Sequence, residues 1–172
     1  MLRFQLFNIP IEIQPWFWLV LVLLGSNFGA GDGSALMVAT FVAAGAISIL
    51  VHELGHALLG RHYGARPFIV LQAFGGYAAF PGTYFARRNQ FWVTAAGPGA
   101  QLLLALVAML LMMFTPMRTI GHHFLSDLIQ VSVFWAILNL LPIHPLDGGQ
   151  MLNAVLGPQR RRTTLKLSLI HI

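Results

Sequence analysis

The chain has 172 residues, of which 57% are hydrophobic and only 9% charged, with a mean hydropathy of +0.73. Soluble domains carry about 25% charged residues, so the composition excludes an ordinary soluble protein and points to a polytopic membrane protein in a lipid bilayer. The formal charge of +5 does not argue for a nucleic-acid partner, because the basic residues sit in small groups between apolar stretches, where membrane topology accounts for them.

Residues 1–14 alternate roughly between apolar and polar, as in Arg3-Phe4-Gln5-Leu6-Phe7 and Ile9-Pro10-Ile11-Glu12-Ile13. This predicts a short hairpin or an extended lead-in at the membrane surface. The pattern of a cleavable signal peptide is missing. Pro15-Trp16-Phe17-Trp18 opens a first apolar segment that runs to Leu24, with its tryptophans suited to the interface. That segment is short against the roughly 20 residues a full span needs. A glycine-rich loop follows over residues 25–34.

The second apolar segment, residues 35–60, carries His52-Glu53-Leu54-Gly55-His56 in its last turns. In a helix, residues four apart share a face, so His52 and His56 can present two imidazole nitrogens to one metal ion. Glu53 projects beside them, placed to act on water rather than on the metal. An H-E-x-x-H sequence also arises by chance in helices. A glutamate and two histidines at the edge of a membrane segment are costly unless paired or ligated, however, and that makes function the default reading. With no cysteine in the chain, thiolate ligands and disulfides are excluded.

Residues 67–81 differ from the rest. Phe68-Ile69-Val70-Leu71 and Tyr77-Ala78-Ala79-Phe80 flank Gly75-Gly76, which reads either as a strand–turn–strand ribbon or as a plain connecting loop. A ribbon would have to line a cavity or lie near the interface, and its edge could hold an extended peptide by strand addition. The third apolar segment, residues 91–114, starts with the small residues Ala95-Ala96-Gly97-Pro98-Gly99-Ala100, read as a helix-packing patch. Gln101 is a buried polar candidate for a hydrogen bond near the site. Arg118, His122 and His123 are expected in the next loop, and a fourth segment with an isolated Asp127 spans residues 124–141.

The fold class expected is therefore an all-α polytopic membrane protein. It has about four transmembrane helices and a small β-hairpin or strand element near the active site, in a single domain over residues 1–172. Residues 1–14 form the interfacial lead-in. Residues 157–172 form a basic tail, with the chain either minimal or truncated there. With a cytoplasmic N-terminus and four spans, nine of the ten basic residues fall inside and only Arg118 outside. The same count puts His56 and the end of segment four on the cytoplasmic side of a bacterial-type cell membrane.

Segment four ends in Asn139-Leu140-Leu141-Pro142-Ile143-His144-Pro145-Leu146-Asp147-Gly148-Gly149. Two prolines break the helix and the glycines permit unusual backbone, so Asp147 is expected on an irregular segment at the depth of the two histidines. Two histidines and a carboxylate make a recognised catalytic zinc set. In joining H-E-x-x-H on one membrane helix to N-x-x-P-x-x-P-L-D-G on a later one, the chain resembles the site-2 proteases, which are intramembrane zinc metalloproteases. The resemblance covers residues 8–156 and extends to Gly75-Gly76 and Gly97-Pro98.

The resemblance implies one zinc ion per chain on His52, His56 and Asp147, with Glu53 as general base and proton shuttle. It implies that Asn139 helps hold the oxyanion or the substrate backbone. The substrate would be a transmembrane protein, cut in or near a locally unwound membrane helix. His144, between the two prolines, reads as a fourth ligand, an outer-sphere donor or a passenger, with the last two favoured, and His62, His122, His123 and His171 read as interfacial. Two competing readings are a catalytically silent homologue that binds membrane helices and a metal transporter. An intact Glu53 argues against the first, and the absence of an inverted repeat against the second.

Overall fold

A computed structural model describes residues 1–29, 34–73 and 75–156, so the basic tail expected over residues 157–172 lies outside the described residues. Strands β1 (Leu2–Leu6) and β2 (Ile9–Ile13) form an antiparallel hairpin with Leu6 opposite Ile9. Its two-residue turn, Phe7-Asn8, has φ of 51° and 58°. Positive φ at both positions is what a right-twisted hairpin needs, and it is a strained state for phenylalanine. Arg61 donates a guanidinium hydrogen bond to the Phe7 carbonyl and so pins the turn to the end of a helix.

Helix α1 (Pro15–Leu24) starts with proline at its first position, where a missing N–H costs nothing, and runs on into a π-helical turn over Gly25–Gly29. Helix α2 (Ala35–His62) is capped by Ser34, whose hydroxyl accepts from the Met37 amide at 3.3 Å. Its last turn holds Arg61 and His62, which complement the negative end of the helix dipole. The ribbon expected over residues 67–81 is present as β3 (Phe68–Gln72) and β4 (Gly75–Ala79). It joins the N-terminal hairpin in one sheet of order β1-β2-β3-β4, with β2 and β3 parallel and Ile11 opposite Ile69.

Side chains alternate across a strand, so Ile9, Ile11, Ile13, Ile69 and Leu71 share one face of this sheet. They bury against Phe17, Leu21, Ile49, Leu54 and Ala57 of the first two helices. The sheet is thereby fixed to the half of α2 that carries His52 and His56.

Helix α3 (Arg87–Met112) holds Pro98 in its interior, and α4 (Ile120–Leu140) begins at Thr119, whose hydroxyl caps the His122 amide. His122 and His123 thus belong to the first turn of α4 and not to the preceding loop, a consequence of that cap. Ala44, Ala108 and Leu128 are buried where α2, α3 and α4 pack together. Asp127 is not isolated: it accepts a hydrogen bond from Thr40 of α2 at 3.0 Å. Leu102, Leu103, Leu106, Val107 and Leu110 of α3 face outward, as a lipid-facing stripe does. Helices α2, α3 and α4 are long and apolar enough to cross a membrane, whereas α1 is shorter. A final helix, α5 (Asp147–Leu156), follows α4 after a six-residue break at 141–146.

Candidate metal centre

The break after α4 turns the chain back so that α5 starts against the last third of α2. A β-carbon on Gly148 would collide with the Leu140 carbonyl, so only glycine lets the first turn of α5 lie on the end of α4. Asp147 occupies the first position of α5. It is therefore held by a helix start, where a carboxylate is favoured by the dipole, and not by unwound chain as its proline-rich approach suggested. His52, Glu53, His56 and Asp147 are all buried, none more than 8% exposed.

The ligand-type atoms converge. His52 Nε2 and His56 Nε2 lie 3.1 Å and 3.3 Å from Asp147 Oδ2, and 3.1 Å from each other. Among the described residues these three form the one group of His, Asp and Glu side chains gathered closely enough to hold a metal ion, with donor atoms within 4.8 Å of one another.

The hydrogen bonds behind the rings decide what the converging atoms carry. His56 Nδ1 is 2.8 Å from the Val93 carbonyl, which can only accept, so that nitrogen holds the proton. His52 Nδ1 is 3.0 Å from Gln101 Oε1. The amide nitrogen of Gln101 donates to the Ser48 hydroxyl at 2.8 Å and to the Ser48 carbonyl at 3.4 Å. That carbonyl admits only the amide nitrogen, which turns Oε1 to His52 and makes His52 Nδ1 a donor as well. In the neutral rings both Nε2 atoms are then lone pairs, and they face Asp147 Oδ2, which is buried. Three acceptors facing one another without hydrogens are unfavourable unless a cation sits among them. The donor set, two imidazoles oriented from behind and one carboxylate, fits zinc.

Above these atoms is a cleft of about 490 Å³, lined by Glu53, β4 residues Gly75 to Ala78, Trp135, Asn139 and Leu146. Strand β4 is the sheet's edge strand and forms one wall. Gly76 lies close against Glu53, because a β-carbon there would come within 2.9 Å of Glu53 Cγ. Asn139 donates its amide to the Trp135 carbonyl one turn earlier, at 3.0 Å, and borders the same cleft. His144 is exposed and lies outside the converging group.

Two further contributors support the rings. The small-residue patch packs α3 onto α2 at the site itself, since a β-carbon on Gly97 would overlap the His56 imidazole. Ser48 and Ser132, buried and 2.9 Å apart, belong to no motif in the sequence. Ser48 stands four residues before His52, on the same helix face, and that spacing was the available signal.

Three buried ligand-type atoms inside a bundle of membrane-length helices make a candidate metal centre in a membrane protein. The relatives agree. The profile of peptidase family M50 matches residues 115–169. The zinc metalloprotease MJ0392 of Methanocaldococcus jannaschii is 27% identical over 155 residues, which cover 90% of this chain and 44% of that protein. Stage IV sporulation protein FB of Bacillus subtilis is 28% identical over 169 residues, 94% of this chain and 54% of that one. The chain thus spans about half the length of these relatives. In three dimensions it is similar to the site-2 protease from Methanocaldococcus jannaschii, with a TM-score of 0.74 at 26% identity, covering 97% of this chain and 77% of that one. In sequence and in fold the chain is thus similar to the site-2 proteases and to the zinc metalloproteases of peptidase family M50.

Proposed function

We propose that this chain is the membrane-embedded core of an intramembrane zinc metalloprotease that cuts a peptide bond in or near a transmembrane helix of a membrane-protein substrate. The observation that carries the reading is the meeting of three ligand-type atoms, His52 Nε2, His56 Nε2 and Asp147 Oδ2, under a cleft that also holds Glu53. One zinc ion on these residues would supply Lewis-acid polarisation of a carbonyl and acidify a water molecule.

The remaining steps fall to the protein's own groups. Glu53 takes a proton from the attacking water and delivers it to the leaving amine, a transfer its place beside the ligands permits. Asn139 spends one amide hydrogen on the Trp135 carbonyl and keeps the second for a substrate carbonyl in the cleft. The edge of β4 offers an unwound substrate segment a strand to pair with. Glycines at 75 and 76 keep that wall close to Glu53.

Residues 1–172 act as one membrane domain. Helix α1 with its π-helical extension, about 22 Å at 1.5 Å per residue, serves as a short fourth span. Arg3, Arg61, Arg66, Arg87 and Arg88 lie on the side of the metal centre, which favours a cytoplasmic orientation for the site.

The test measures zinc per chain in detergent for the unaltered protein and for Asp147→Ala, with cleavage of a membrane-helix substrate scored against Glu53→Gln. About one zinc, lost in Asp147→Ala, and cleavage lost in Glu53→Gln is the expected outcome. Zinc retained without Asp147 would overturn the ligand set, and no zinc in the unaltered protein would overturn the function.

A further inference from the structure

We infer that Gln101 is a positioning residue for the metal centre: by accepting the Nδ1 proton of His52, it keeps the Nε2 lone pair of that ring free for a metal ion. The inference rests on the metal-centre reading and adds the device that sets the ring's tautomer.

Gln101, Ser48 and Ser132 are completely buried, and they connect α3, α2 and α4 in one line of hydrogen bonds. Its direction is determined between Ser48 and His52. The Ser48 carbonyl can only accept, so the Gln101 amide nitrogen faces it. The same nitrogen donates to Ser48 Oγ. Ser48 Oγ and Ser132 Oγ share a further hydrogen bond at 2.9 Å. Gln101 Oε1 is left pointing at His52 Nδ1. With Ser48, Gln101 and Ser132 fully buried, each of these groups depends on the next for its hydrogen bonds.

The consequence appears when the acceptor is removed. His52 Nε2 lies 3.1 Å from Asp147 Oδ2. Without Gln101 the ring proton is better placed on Nε2, where that carboxylate accepts it. The ring would then block its own ligand atom, and metal binding would have to expel the proton. Outer partners of ligating histidines typically account for 10- to 100-fold in metal affinity.

The experiment compares the full chain in detergent with Gln101→Met, which keeps the volume and loses the acceptor, and Gln101→Glu. In its neutral form a buried glutamic acid can both accept from His52 and donate to Ser48. Two readouts are taken: the nitrogen-15 shifts of His52 in the metal-free protein, and the affinity for cobalt(II) by absorption titration. The expected result is a protonated Nδ1 in the unaltered protein and in Gln101→Glu. In Gln101→Met a bare Nδ1 should appear, with cobalt affinity about 10- to 100-fold weaker.

A residue that merely fills space predicts the reverse order, with methionine tolerated better than glutamate. That order, or an unchanged tautomer and affinity in Gln101→Met, overturns the role of Gln101 while leaving the metal centre intact. An unaltered protein that binds neither cobalt nor zinc overturns the metal centre and this inference with it. Should Gln101→Met not fold, Gln101→Glu decides the matter. It keeps an acceptor for His52 and a donor for Ser48, so an unchanged cobalt affinity is expected, whereas a loss of about 10-fold or more overturns the proposal.

Discussion

Gly97 of α3 stands directly over the His56 imidazole, and a β-carbon at that position would overlap the ring. The ring cannot simply retreat, because its Nδ1 is tied to the Val93 carbonyl one turn earlier on the same helix. Gly97→Ala must therefore turn the imidazole or push α3 away from α2. Overpacking of this kind typically costs about 1–3 kcal/mol. The expected outcome is a folded protein whose zinc affinity falls by about 10-fold or more, as for other losses of ligand orientation. Zinc titration with circular dichroism as a folding control checks this. Unchanged affinity would mean the ring tolerates displacement.

Removing the metal should be felt in stability. Three buried acceptors separated by 3.1–3.3 Å repel one another until a cation joins them. Free zinc at 100 times its dissociation constant adds about 2.7 kcal/mol to the folded state by linkage. A chelator is thus expected to lower the melting temperature of the unaltered protein. Asp147→Ala, with one acceptor removed and no complete site, should melt at the same temperature with and without chelator. Thermal melts in one detergent, scanned at one rate, give the comparison.

Much of this centre was legible in the sequence, and what was not has identifiable causes. The i, i+4 pair His52 and His56 needs only a helix to meet, so local spacing was enough. Asp147 was found through its motif, but its place at the start of α5 depends on Gly148 closing against the Leu140 carbonyl, a tertiary contact. The strands around residues 9–13 and 68–72 were visible in their alternation. Their parallel pairing was not, since residues 14–67 intervene and nothing local records which strand lies beside which. The turn at Phe7-Asn8 hid for another reason: phenylalanine rarely takes positive φ, and here Arg61 holds the turn from outside. His122 and His123 were assigned to a loop because Thr119 was not read as a cap.

Glu53 and the metal ligands should separate experimentally. Glu53 takes no part in the converging group, so Glu53→Gln is expected to keep its zinc while cleavage falls by about 100- to 10,000-fold. Gly76→Ala tests the same group indirectly, since its β-carbon would press on Glu53 Cγ and on Leu71. It should lower the cleavage rate with zinc content unchanged, the opposite of Gly97→Ala, which should disturb the metal first. Zinc analysis and cleavage assays on both glycine variants check that split. Zinc loss in Gly76→Ala would show that β4 supports the ligands as well.

Asn139 poses the sharper question, because its visible bond is to its own helix. The amide donates to the Trp135 carbonyl at 3.0 Å, a contact that by itself would make Asn139 only a cap on the last turn of α4. Its amide nitrogen has a second hydrogen, and the residue borders the cleft beside Glu53 and Asp147. If that hydrogen meets the substrate oxygen as charge develops, Asn139→Ala should lower kcat by about 100-fold with KM and zinc content little changed. Asn139→Asp keeps the shape and removes both donors, so the melting temperature reports the lost Trp135 bond and kcat the lost oxyanion contact. Should Asn139→Asp cleave as fast as the unaltered protein, the amide donates nothing to the reaction and the oxyanion role falls. A rate as low as that of Asn139→Ala, in a protein that still holds one zinc with its melting temperature little changed, supports a donor at the reacting carbonyl.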